Sequence, residues 1–367
     1  MKKFISLFLI LLFTNLGAPL ASAATVEIAV TEPSHRQIDG LFIDDELTTL
    51  LAYDGRLGQL VYSPPRGNRS WFIDPQLIEE VRAMTTDYLL VNGEKGVGAS
   101  VAESWLTQLT AISRSDQITA LPYGNPSDYW ISKLAPKKKD FYLQLGAKRL
   151  TAELGRQVSQ MTNFPISPRF NADYLTLQAF KKSQIVLKIN SEYMAVDEIE
   201  KFQAQSAAVF HPSLLKDQRT LLSLDLITSS QALSNKIRLA PGRFTVTSRK
   251  QKLPITLIND FQNPAKLSIS VEASNGKVLV EPVPQFVVNG GSKVQVMIPV
   301  EVITSGKTNL SVSIESDKKR VLGNEAFYPV TLQVISPIAT WVTTGGAAIL
   351  FISALIQSFR RIRKKRL

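Results

Sequence analysis

The sequence predicts an α+β multidomain protein: an α/β domain over residues 24–235, an immunoglobulin-like β-sandwich over 236–335 and a C-terminal transmembrane helix over 337–359. Three observations predict it. Up to about residue 235 short apolar runs alternate with longer stretches of helical period. Beyond 243 the runs become short, alternating and rich in Val, Ile and Thr. The stretch 337–359 carries no charge over about the length that a membrane helix needs.

Taken in order, Lys2 and Lys3, the apolar run 4–13 and Ala21-Ser22-Ala23 have the layout of a cleaved signal peptide, 1–23, so export is expected. Residues 46–61 place Leu47, Leu50, Leu51, Leu57, Leu60 and Val61 on one helical stripe. Residues 70–73 read as a buried strand, 75–84 as a helix, 87–91 as a strand, 101–112 as a helix, 118–123 as a strand, 127–134 as a short helix and 141–161 as a longer one. The run 184–189 reads as a further strand and 196–205 as a helix. Strands alternating with helices imply a mainly parallel sheet, taken as barrel-like, although the pattern does not choose between a closed barrel and an open sheet.

Seven short strands follow, at 244–247, 253–258, 265–271, 277–280, 294–300, 310–314 and 328–334. Asn263-Pro264, Asn275-Gly276, Asn289-Gly290-Gly291 and Ser305-Gly306 separate several of them, the spacing of a sandwich. The chain closes on a basic tail, 360–367, with Arg360, Arg361, Arg363, Lys364, Lys365 and Arg366. Cations directly after an apolar span stay in the cytoplasm, so a single-pass cell-membrane protein with an extracellular body and a cytoplasmic tail is expected. The tail's electrostatic partner is then the anionic inner leaflet.

Of the net charge of +11, six charges lie in the tail and two in the leader, leaving +3 for the body. The basic balance therefore gives no reason to expect nucleic acid. The absence of cysteine excludes disulfides, thiolate metal sites and a Cys nucleophile.

Parallel α/β sheets place working residues where strands end, which directs attention to Asp74 and to the loop 123–128. Asp74 and Asp128 are the candidate catalytic pair, because glycosidic chemistry needs one acid and one base or nucleophile. Tyr123, Asn125, Tyr129 and Trp130 are the candidate binding residues, their rings suited to stack on a sugar or dock a protein. Against catalysis, Asp74-Pro75 and Asn125-Pro126 each read as a helix N-cap followed by proline at the first helical position. Asp44, Asp45 and Glu46 read as acids that favour a helix start.

His35 and His211 are the only histidines and stand far apart, so no metal site and no cofactor are expected. The loop 93–98 departs from both phosphate-loop patterns. Ser100 and Ser104 have no recognisable base partner.

In its ordered phrases the chain resembles a family of uncharacterised actinobacterial exported, membrane-anchored proteins, the DUF6049 type. These are Gly55-Arg56-Leu57, Trp71-Phe-Ile-Asp-Pro-Gln-Leu-Ile78, Ser104-Trp-Leu106, Ala120-Leu-Pro-Tyr-Gly-Asn-Pro126 and the Pro254, Thr256, Asn259 phrase. The resemblance implies an envelope role beside a lipid II flippase-like membrane protein of cell-wall precursor transport. Where relatives carry acidic residues, this chain has Asn125 and Ser127. The expectation is therefore a non-enzymatic, membrane-anchored envelope accessory protein, with a glycoside hydrolase-like or deacetylase-like α/β domain that binds rather than cleaves. Its partners would be the membrane, a polytopic membrane protein and a glycan. The alternative is a carbohydrate-active hydrolase acting on envelope glycans.

Overall fold

The computed structural model describes residues 25–333 and 337–364. The expected signal peptide, 1–23, lies outside the described residues. In chain order the elements are β1 (Val26–Val30), α1 (Glu46–Leu51), α2 (Arg56–Tyr62), β2 (Arg69–Ile73), α3 (Pro75–Met84), α4 (Ala99–Ile112), β3 (Gln117–Ala120), α5 (Asp128–Leu134), α6 (Lys139–Leu154) and β4 (Ser159–Gln160). There follow α7 (Tyr174–Asn190), α8 (Val196–Ala207), α9 (Lys216–Ser234), β5 (Ile237–Leu239), β6 (Phe244–Val246), β7 (Lys250–Asn259) and β8 (Ala265–Ala273). The chain ends with β9 (Val278–Val280), β10 (Phe286–Val288), β11 (Ser292–Val302), β12 (Gly306–Ser316), β13 (Val321–Leu332) and α10 (Pro337–Lys364).

β1, β2, β3 and β4 form a parallel sheet in that order. The later strands form two further sheets, β5-β7-β11-β9 and β10-β8-β12-β13-β6, antiparallel except for the β13–β6 pair. The chain is thus mixed α/β with sheets curled into half-barrels, which corrects the barrel-like expectation for the first domain. In β12 the buried side chains are Thr308, Leu310, Val312, Ile314 and Ser316, the period of two expected of a strand with one face in the core.

One apolar cluster gathers around Trp71, Trp105, Leu47 and Val81 under the parallel sheet. A larger one runs from Trp130 to Leu332 and joins α5–α9 to both later sheets. It crosses the boundary expected at 235, where Asn263 Nδ2 also donates to Met194 O at 3.0 Å. Each Leu or Ile fully buried there contributes roughly 1.5–3 kcal/mol.

Several elements differ from the sequence reading. The run 184–189 lies inside α7, because residues 174–190 bury Thr176, Ala179, Phe180, Ser183, Val186, Leu187 and Asn190, a helical spacing that overrides the β-branched run. The strand expected at 87–91 is reduced to isolated bridges of Leu89 and Leu90. The single helix expected at 46–61 is two. Glycine permits α2 to fold back closely on α1, since a Cβ on Gly55 would stand 2.2 Å from Thr49 O and one on Gly58 1.7 Å from Ala52 O. The helix expected to reach 161 stops at Leu154, where Gly155 takes the left-handed conformation (φ 63°) that ends helices.

The C-terminal transmembrane helix is not supported: among the described residues no helix is long and apolar enough to cross a membrane. Over 337–364 the chain is helical as α10. Over 344–358 its side chains are exposed. That segment also includes Thr344, Gly345, Gly346, Ser353, Gln357 and Ser358.

Candidate functional site

In the parallel register Val30 pairs with Ile73 and Ile73 with Ala120, so the segments leaving β1, β2 and β3 emerge side by side. Asp74 leaves β2 there. Its N–H donates to Val30 O at 2.9 Å, and its Oδ1 accepts from Gln76 N and from Gly124 N, both at 3.0 Å. The first bond caps α3, with Pro75 at the first helical position. The second ties the loop after β3 to the same carboxyl. Gly124 has φ +71°, and a Cβ there would meet Gln76 Oε1 at 2.4 Å.

Asp74 is 0% exposed, and its Oδ2 is buried without a hydrogen-bond partner. Burial pushes its carboxyl up to about 8, opposed by the two backbone donors and reinforced by Glu80 and Glu79. It is thus a neutral acid at pH 7.

Gln76 and Glu80 share one face of α3, and Gln76 Nε2 donates to Glu80 Oε1 at 3.0 Å. The buried Glu80 also accepts from Ser34 Oγ at 2.6 Å and from His35 N at 2.9 Å. Burial raises its pKa against those bonds. Neighbouring Glu79 accepts from Tyr123 OH at 2.7 Å and lies 3.6 Å from Arg149.

The loop after β1 meets both histidines. Ser213 N–H donates to His211 Nδ1 at 3.2 Å, which places the ring proton on Nε2, 3.1 Å from Thr31 Oγ1. Asn125 Nδ2 donates to the same hydroxyl at 3.2 Å. Burial, with Arg219 and Arg56 adding, pushes His211 down to about 3. His211 therefore donates to Thr31 and is not placed to deprotonate it, so the pair is not a nucleophile and its base. His35, also buried, has Nδ1 2.8 Å from Asp44 Oδ1.

Of the residues singled out in the sequence, the fold brings Asp74, Tyr123 and Asn125 to these strand ends. Asp128 and Tyr129 open α5 and line a separate surface groove of about 490 Å³ with Lys133, Phe164 and Arg169. Arg169 and Lys133 stand 5.3 and 5.6 Å from the Tyr129 ring centre. Asp128 pairs with Lys139 at 2.5 Å. Trp130 is buried, stacked on Phe210 at 5.8 Å, with its Nε1 donating to Phe170 O.

Arg360, Arg361, Arg363 and Lys364 fall in the last turns of α10, while Lys365 and Arg366 lie outside the described residues. Sequence reasoning passed over Thr31, Glu79 and Glu80 and set His35 and His211 aside. The one available signal was Gln76 and Glu80, polar residues four apart on the stripe that also carries Leu77, Val81 and Met84.

Among solved structures the chain is similar to native E. coli alpha-2-macroglobulin, at 17% identity and TM-score 0.22, over 26% of this chain and 6% of that one. It is also similar to the C. elegans MSP family member WR4, at 12% identity and TM-score 0.20, over 26% and 97%. The E. coli chaperone DraB matches at 15% identity and TM-score 0.21, over 26% and 54%. At these scores the likenesses carry no statement about this chain. No curated protein matches it.

The match to the family of unknown function DUF6049 spans residues 167–365. Of the phrases quoted above, only Pro254, Thr256 and Asn259 fall within that span, whereas the strand-end residues Asp74, Tyr123 and Asn125 precede it. It nevertheless takes in α7, α8, α9, the two later sheets and α10, more than half of the chain, and the chain therefore belongs to the DUF6049 family.

Proposed function

We propose that this protein is a non-enzymatic accessory protein of the cell envelope, acting by binding. The observation that carries the reading is the closure of the strand ends. Asp74 has no exposed surface, Glu80 is enclosed by Ser34, His35 and Gln76, and the cavity beside Gln76 and Ser34 holds about 10 Å³, roughly one water. A glycosidic substrate needs both carboxyl groups in one open cleft. Asp128, by contrast, lines the groove on α5.

That groove is the better surface for a glycan. Tyr129 lines it, and Lys133 and Arg169, which stand over its ring, favour an anionic substituent on the sugar. Resemblance supports the partner, a polytopic membrane protein of cell-wall precursor transport, and with it an exported body. Contact with such a partner is supported also by α10, which exposes Ile349, Leu350, Phe351, Ile352, Leu355 and Ile356.

The test is affinity capture of the full chain from native membranes in mild detergent, together with an assay of sugar release from purified envelope glycans. Recovery of the transport protein without glycan release is expected. Failure to recover it, or glycan release that Asp74→Asn abolishes, would sink the reading. The second outcome would establish the hydrolase, which one observation favours: Asp74 is held as a neutral acid at pH 7 where a parallel strand ends.

A further inference from the structure

We propose that His35, Asp44 and Glu46 form a binding site for one divalent transition-metal ion. The three come from a short stretch of chain. After β1, the His35 backbone is fixed on both sides, its N–H by Glu80 and its carbonyl by the Ile43 N–H at 2.8 Å. The turn between, closed by Gln37 N–H to Leu41 O at 2.8 Å, brings the chain back on itself. Asp44 Oδ1 thereby arrives 2.8 Å from His35 Nδ1. The same oxygen accepts from Glu46 N at 3.0 Å, which sets the position of Glu46 at the start of α1. One ligand atom from each of the three residues lies within 4.8 Å of the other two.

A second observation comes from the far side of the imidazole. His35 is 3% exposed, and its Nε2 is buried with no hydrogen-bond partner. The nearest carboxylate to that nitrogen is Glu32, with Oε1 at 3.9 Å, itself ion-paired to Arg56. A ligating histidine characteristically turns its other N–H to a carboxylate, which orients the ring and raises its basicity. At 3.9 Å Glu32 lies on that side of the ring but outside hydrogen-bond distance.

Charge points the same way. Glu32, Asp44, Glu46 and Glu80 surround one imidazole, and Arg56 pairs with Glu32 alone among the four. On binding, the ion takes the place of the proton between His35 Nδ1 and Asp44, and that proton leaves to solvent. The N···O separation then opens only slightly, because a metal bound at ~2.0–2.2 Å to each holds its ligands roughly 3 Å apart. Glu46, exposed and without a side-chain hydrogen bond among the described residues, closes the third side. Asp44 and Glu46 face solvent, so water completes the shell. One nitrogen with carboxylate oxygens suits Zn²⁺ or Co²⁺ above Ca²⁺ or Mg²⁺. The site is independent of the accessory reading.

The test uses the full chain freed of metal by a chelator and titrated with Zn²⁺ by calorimetry, with Co²⁺ absorption as a second readout. One equivalent should bind, with a rise in melting temperature. Glu46→Gln, an exposed substitution that leaves the core untouched, should weaken binding at least tenfold. His35→Gln should abolish it. Absence of saturable binding, affinity unchanged in Glu46→Gln, or Ca²⁺ bound as tightly as Zn²⁺ would each overturn the proposal.

Discussion

Asn259, in the antiparallel sheets, and Asp74, at the end of a parallel strand, are both completely shielded from solvent, yet only one has every polar atom answered. Asn259 Nδ2 donates to Asn263 O, Val288 O and Asn289 O at 3.0–3.3 Å, and its Oδ1 accepts from Phe261 N at 3.0 Å. It staples two loop carbonyls and the last carbonyl of β10 to the end of β7, and nothing is left over for a ligand. Asp74 keeps Oδ2 unpartnered, and Gln76 Oε1, two residues on, and His35 Nε2 are unpartnered too. A buried polar group with all its bonds made is explained by the fold, whereas one with an orphaned atom calls for a further cause.

The largest way to sharpen this contrast is pH. Asp74 has its pKa raised to about 8 in the folded chain, against about 3.9 when unfolded. Below pH ~4 both states hold the proton and nothing is lost. Between pH ~4 and 8 only the folded state keeps it, so stability falls as pH rises, and above ~8 the loss is complete. At about 1.4 kcal/mol per unit, the span is at most ~6 kcal/mol, less with local relaxation. Asp74→Asn mimics the protonated acid and keeps both Oδ1 bonds. Its melting temperature, measured from pH 4 to 9, should lack this decline, and a variant that declines in parallel with the wild type would refute the buried neutral acid.

Next in size, Asn259→Ala strands three carbonyls and the Phe261 N–H together. The loss should be roughly 3 kcal/mol, since each unpaired buried group costs about 1–3 kcal/mol and some of these are partly reached by water. Urea unfolding measures it, and a loss under about 1 kcal/mol would mean that the staple is dispensable. Smaller again is Tyr123→Phe, which removes one hydrogen bond from Glu79 and leaves Arg149 at 3.6 Å as its nearest cation. The same denaturation should show about 1–2 kcal/mol.

The two regions also differ in what the sequence discloses. In β12, Leu310, Val312 and Ile314 announce their inner face by alternation alone, and the strand is found. β5 and β10 are not among the seven strands read from the sequence, although β6 and β9, equally short, are. In α7 a β-branched run read as strand, because the helical stripe from Thr176 to Asn190 becomes visible only across the whole element. At the strand ends, Asp74, Tyr123 and Asn125 were legible from the rule that chemistry gathers where parallel strands finish. Glu80 was not, since its partners Ser34 and His35 lie 46 and 45 positions away and no local pattern foretells the meeting. His35 and Asp44 are near in sequence, but the turn that joins them carries no regular period.

The smallest expected effect is the one that bears most directly on whether Asp74 and Asp128 act together. Asp128 and Lys139 are each more than a third exposed, and an ion pair in that setting contributes about 0–1 kcal/mol. Asp128→Asn should therefore leave stability nearly unchanged. If the two carboxyl groups shared one site, removing the charge at 128 would also draw the Asp74 titration downward, because a nearby anion holds a carboxyl protonated. The groups that act on Asp74 are instead Glu80 and Glu79, both from its own helix. The pH profile of melting in Asp128→Asn should accordingly superimpose on that of the wild type, and a midpoint displaced toward acid would join the two regions into one acidic site after all.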